Sequence, residues 1–322
     1  MTLTRVTLVM ALCPECCAEV WARSWRNPKN IRVMFTIENE YIRAAIAPKG
    51  AELVQLFSKD LQLDYLWNGD PAFWGKHSPV LFPIVGTLKN NTYFFGGKSF
   101  FLGRHGFARD MEFSVTGQHF EEITFQLASN SHTLEVYPFL FQFEIIYRLT
   151  DHQLETTYHV RNTGSGEMYF SVGGHPAFKV PLVKGTIYQD YNLEFNEDET
   201  LPRWPISKDG LIETEPVALL QQSSVLPLTR ELFHQDALVT KYPTSSIISL
   251  KSDKTDHGLD FYLGEFPYLG IWAAKNADFV CIEPWCGIAD SVNADQQIEH
   301  KEGIVVLAPD QVFERSWKVR LF

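Results

Sequence analysis

Gly173-Gly174-His175-Pro176-Ala177-Phe178 and Cys281-Ile282-Glu283-Pro284-Trp285-Cys286-Gly287 are the two strings of this 322-residue chain best equipped for chemistry. The first sets one histidine in what reads as a tight, small-residue turn just after an apolar run. The second ends a buried apolar strand on a carboxylate, followed by a proline and a tryptophan. An imidazole that gives a proton and a carboxylate that takes one are the pair needed for proton transfer on a small polar molecule. Alternation puts Phe279, Cys281 and Glu283 on one strand face and Val280 and Ile282 on the other.

Arg104-His105-Gly106-Phe107-Ala108-Arg109 is a third concentrated signal, after a Gly96-Gly97-Lys98 turn. Two guanidiniums beside a histidine need partners if they are buried. The string alone leaves two readings open: pairing with a structural carboxylate, or a cleft that takes hydroxyls or an anion. Trp285, Trp272 and Phe178 offer flat faces for a sugar ring, and core packing is the competing reading for each. The histidines are scattered without a ligand-spaced pair, so no metal is expected. Glycine-rich nucleotide loops and a nucleophile elbow are missing as well.

These residues need a frame, and the frame reads as strands. Phe141, Phe143, Ile145, Tyr147 and Leu149 keep a two-residue period, as do Leu154, Thr156, Tyr158 and Val160 after a Thr150-Asp151-His152-Gln153 turn. Ile123, Phe125 and Leu127 alternate too, and so do Phe313, Arg315, Trp317, Val319 and Leu321. Helical patterns are scarce; Asp70–Lys76 and Thr229–His234 are candidates for short helices, and 181–230 reads as long surface connections. The 14% aromatic content fits an all-β antiparallel sandwich or barrel.

A net charge of −11 excludes nucleic acid as a main partner. Five unevenly placed cysteines do not make a disulfide framework, which points to a reducing, cytoplasmic compartment. No stretch has the length of a membrane span. Residues 1–33 break the pattern: a short apolar run, then Cys13-Pro14-Glu15-Cys16-Cys17, half a zinc ligand set without a second half, then a basic patch. They read as a poorly packed extension whose deletion leaves stability unchanged, with residues 34–322 as a single domain.

Together the strings resemble the aldose 1-epimerase (galactose mutarotase-like) family, in its LacX-like branch. The resemblance rests on Ile37 to Tyr41, Gly50-Ala51-Glu52-Leu53, Pro79-Val80-Leu81-Phe82-Pro83-Ile84-Val85-Gly86, Arg104 to Asp110, Tyr137-Pro138-Phe139, Gly173 to Phe178 and Cys281 to Asp290, in that order. It implies a large β-supersandwich and interconversion of the α and β anomers of a free aldohexose, without metal or organic cofactor. By resemblance His175 matches the general acid, Glu283 the general base, His105 a substrate-orienting histidine and Asp236 an acidic residue that binds sugar hydroxyls. Relatives commonly carry arginine where this chain has Thr87, so Lys89, Arg104 or Arg109 is expected to hold the sugar in its place. A hexose phosphate held by Arg104 and Arg109, or a sugar-binding protein without turnover, are the alternative readings. The oligomeric state is not legible.

Overall fold

Two antiparallel sheets packed face to face follow from the alternating patterns, because each strand must bury its apolar side. The structure, a computed structural model, describes residues 33–322. The extension 1–33 therefore lies outside the described residues, except for its last position. The larger sheet has nine strands in the order Ser223–Pro227, Tyr191–Glu199, Ile247–Ser252, Thr255–Tyr262, Val312–Leu321, Gln153–Asn162, Phe141–Thr150, Glu122–Ala128 and Ser114–Gln118. Phe141–Thr150 and Gln153–Asn162 form the expected hairpin, with Asp151 in the left-handed region at its two-residue turn.

The second sheet has eight strands and carries Glu283, with His175 between two of its short strands. Its middle runs Leu238–Lys241, Tyr268–Trp272, Phe279–Cys286 and Val172–Gly174, with Val80–Leu81 at one end. Ala177–Lys179 also pairs with Phe279–Cys286. All eight residues of Phe279–Cys286 are buried, as a strand covered on both faces requires. One face meets the larger sheet: Phe178 packs on Phe261 and Phe82 stacks on Phe143. The other carries a smaller apolar cluster that includes Leu81, Ile212, Val239 and Trp285.

Four local readings are corrected. The Gly173–Phe178 string is not a turn but two short strands broken at His175-Pro176, both paired to Phe279–Cys286. The strand bearing Glu283 does not end there; it continues through Pro284 to Cys286. Asp70–Lys76 is a set of turns, whereas Arg230–Phe233 is a single 3-10 turn. Residues 181–230 contribute Tyr191–Glu199 and Ser223–Pro227 to the larger sheet, since their polar positions fall on its exposed side. The one α-helix among the described residues, Ser131–Val136, is capped by the Asn130 side chain. None of their helices is long and apolar enough to cross a membrane.

Glu52 ties the segment from Trp67 to Pro79 onto this frame. Its Oε1 accepts the backbone N–H groups of His77 at 2.6 Å and Ser78 at 3.2 Å. Burial alone raises the carboxyl pKa, but the hydrogen bonds from His77 and the nearby cations outweigh it and hold it below the usual value. A depressed folded pKa means that this stabilisation is present above the unfolded value, about 4.3, and is lost as pH falls through the folded value. Glu52→Ala is expected to lose about 1–3 kcal/mol at pH 7 in urea unfolding, because two buried donors lose their acceptor. Glu52→Gln should stay near wild type at pH 7 and show a shallower acid decline.

Candidate active site

His175 occupies the break between its two short strands, where its N–H donates to Pro79 O at 3.1 Å. Glu283 lies in the adjacent strand, opposite Gly270 on the other side. Register alone therefore brings together two groups 108 positions apart in the numbering. His175 Nε2 is 3.3 Å from Glu283 Oε2, with the residues 8% and 1% exposed. Trp74 stacks on the imidazole at 4.9 Å and 27°, and Trp272 meets it edge-on at 5.5 Å.

Both groups line a cavity of about 350 Å³. That is at the small end of the usual range for ligand pockets, about 300–1,000 Å³, and suits one small polar molecule. Its polar side is Arg104, His105, Arg109, His175, Asp236 and Glu283; its apolar side includes Trp74, Trp272, Trp285, Ile206, Ile212 and Val239.

Burial dominates the electrostatics. It pushes His175 down to about 3, with the Arg104 and Arg109 charges adding and a backbone hydrogen bond opposing. It pushes the Glu283 carboxyl well up, with Asp236 adding and Arg104 and the Trp285 indole opposing. The resting pair is accordingly neutral imidazole beside protonated carboxyl, one proton between them. Glu283 Oε2, His175 Nδ1, Trp285 Nε1 and Arg109 Nε are buried without a hydrogen-bond partner. Four such atoms around one cavity mark a place built for a polar ligand.

His105 is held by reciprocal bonds to Gly86: its N–H donates to Gly86 O at 2.8 Å, and its Nδ1 accepts the Gly86 N–H at 3.1 Å. Its Nε2 in turn faces the Arg104 Nε–H at 3.3 Å, so both ring nitrogens look onto N–H donors. Burial, the Arg104 charge, His175 and Arg109 keep this imidazole neutral by lowering its pKa well below the ordinary value. Arg104 donates to both oxygens of Asp236, at 3.2 and 3.4 Å. Arg109 Nη2 donates to Arg104 O at 2.9 Å. Asp236 holds φ 97° and His105 φ 69°, left-handed conformations that Asp and His adopt more readily than most non-glycine residues.

Trp285 lies flat because glycines flank it. A Cβ on Gly173 would sit 2.5 Å from the indole, and one on Gly270 only 2.3 Å. The structure thus gathers His175, Glu283, His105, Arg104, Arg109, Asp236, Trp272 and Trp285. Thr87 and Lys89 are not among the lining residues. Thr87 packs where a Cβ on Gly210 would be 2.7 Å from its hydroxyl, and Lys89 Nζ donates to Val292 O and Ala294 O. Phe178 turns to the inter-sheet core. Trp74 was not foreseen, because the residues around it read as a helix; Cys281, beneath Glu283 on the same face, is buried within reach of both catalytic candidates.

The chain belongs to the aldose 1-epimerase family, whose model matches residues 33–314. It is 31% identical to the chromosomal protein LacX of Lactococcus lactis subsp. lactis over 295 residues, 88% of this chain and 98% of that one. It is similar to a galactose mutarotase related enzyme from Lactobacillus acidophilus, at 36% identity and a TM-score of 0.86, covering 90% and 97% of the two chains. A galactose mutarotase-like protein from Lactobacillus casei ATCC 334 is 32% identical with a TM-score of 0.85, over 90% and 100%.

Gly270→Ala is expected to push the Trp285 indole out of its slot at a cost of about 1–3 kcal/mol. The change should appear as altered tryptophan fluorescence and a lowered melting temperature. An unchanged spectrum and melting temperature would show that the slot is not tight.

Proposed function

We propose that this chain is a mutarotase that interconverts the α and β anomers of a free aldohexose by acid–base ring opening and reclosure. The observation that carries the reading is the His175–Glu283 pair, buried, 3.3 Å apart and incompletely hydrogen-bonded on the wall of a monosaccharide-sized cavity.

In the reactive distribution the single proton of the pair sits on His175. Glu283 takes the proton from the O1 hydroxyl, C1=O forms as the C1–O5 bond breaks, and O5 receives the proton of His175. The open-chain aldehyde then faces neutral His175 and protonated Glu283, the distribution that burial favours. Rotation about C1–C2 and return of both protons close the ring with the other anomer. The charged forms are a strong acid and a strong base because the site does not solvate them. Arg104 steadies the Glu283 carboxylate. His105 and Arg104, side by side on the cavity wall, would orient the sugar hydroxyls, and the three cavity tryptophans offer the ring apolar faces.

A hexose phosphate is the second reading, and the arginines speak against it. Arg104 is neutralised by Asp236, Arg109 is bonded to backbone, and Lys89 is spent on carbonyls. A sugar-binding protein without turnover gains nothing from an acid and a base left unpaired in a dry floor.

Glu283→Gln and His175→Asn are each expected to slow anomer exchange at least about a hundredfold, the scale of a positioned acid or base, with circular dichroism unchanged. Near-wild-type exchange in either variant, read by exchange NMR, overturns the assignment. Fresh α-glucose and α-galactose should relax faster than glucose 6-phosphate at equal enzyme; the reverse order selects the phosphate reading.

A further inference from the structure

Cys281 has no part in the ring-opening chemistry, yet it sits with the pair that does. It shares a strand face with Glu283, and Ala177, two residues after His175, is its register partner. One ligand atom each from His175, Cys281 and Glu283 lie within 4.8 Å of one another, all three residues buried. We propose that these three side chains form a binding site for a thiophilic divalent cation of the zinc class, and that occupancy shuts off sugar turnover. The binding half stands on geometry alone; the shut-off rests on the mutarotase reading.

The donor set fits. Zinc is held by thiolate, imidazole and carboxylate, and three protein ligands leave the fourth tetrahedral position open. Two ligands about 2.1 Å from a tetrahedral zinc lie about 3.4 Å apart; His175 Nε2 and Glu283 Oε2 are already at 3.3 Å. Glu283 Oε2 has no hydrogen-bond partner and belongs to a residue 1% exposed, so a buried lone pair is aimed into the cluster. The stacked Trp74 and edge-on Trp272 hold the imidazole in place. The three donor atoms lie within 4.8 Å of one another, so closing onto a zinc, with its sulfur at about 2.3 Å, takes at most a shift on the order of 1 Å. The thiolate selects against magnesium and calcium and for zinc, cobalt or cadmium. His175 and Glu283 line the cavity, so an ion between them would be reached from it. Binding releases the thiol proton and the proton shared by the pair, and it occupies the nitrogen and oxygen lone pairs that ring opening uses.

Cobalt(II) titration of the full chain under anaerobic conditions tests this. One equivalent is expected to give a thiolate-to-cobalt charge-transfer band in the near ultraviolet and intense four-coordinate visible bands, both erased by zinc. The band must persist when Cys13, Cys16 and Cys17 are all changed to Ser and must vanish in Cys281→Ser. Any other pattern, including no band, overturns the site. Cys286→Ser, a second buried thiol, serves as a fold control and should keep the band. Zinc should block anomer exchange in the wild type, while Cys281→Ser keeps its exchange and needs at least about tenfold more zinc for the same block. Equal zinc sensitivity in the two proteins overturns the shut-off. Should the protein give the cobalt band while its metal-free form shows no anomer exchange with any sugar, the mutarotase reading fails while the metal site stands.

Discussion

Removal of water from one imidazole and one carboxyl governs the site. Both groups pay for burial in ionisation, so the pair rests neutral, and the charge separation that ring opening needs exists only as a high-energy arrangement of the same single proton. Everything around the pair preserves that dryness. The strand carrying Glu283 is covered on both faces, tryptophans close over His175, and glycines in the neighbouring strands leave no side chain between Trp285 and the sheet.

Another wall of the cavity depends on a buried ion pair. Lys301 Nζ donates to Asp290 Oδ1 at 2.8 Å and to Ile288 O at 2.6 Å, with both side chains nearly inaccessible. Asp290 in turn accepts the Lys89 N–H on its other carboxylate oxygen, donates its own N–H to Thr87 O, and accepts the Ile212 N–H on its carbonyl. A buried ion pair is poor evidence of net stability, but one with this many bonds fixes geometry. It joins the strand-end segment at Ala289, the segment after Gly86 and the Ile206–Ile212 loop into one surface.

That wall explains where the sequence was readable and where it was not. His175 and Glu283 stood out because a histidine after two glycines and a carboxylate inside an apolar run are expensive without a purpose. The alternation of Phe141–Thr150 and Val312–Leu321 made the sandwich legible, since a two-residue period has one structural meaning. Thr87 and Lys89 misled because their neighbours in sequence belong to the site, while their side chains are committed to packing and to carbonyls in the Asp290 wall. Trp74 and the Cys281 cluster were hidden for another reason. A loop carries the first across the fold, and strand register joins the second, and neither is encoded in local spacing. The polar stretch at 181–230 concealed four strands, two in each sheet, because a sheet with one wet face tolerates polar residues at every second position.

The order of the larger sheet has a consequence for how the chain is made. Val312–Leu321 does not close an edge; it fills the slot between Thr255–Tyr262 and Gln153–Asn162. Until that strand leaves the ribosome, two long strands made before it stay unzipped in the middle of the sheet, each offering a free row of amides and carbonyls to any neighbouring polypeptide. Loss of residues 311–322 would therefore yield not a slightly weakened protein but two half-sheets with sticky flanks.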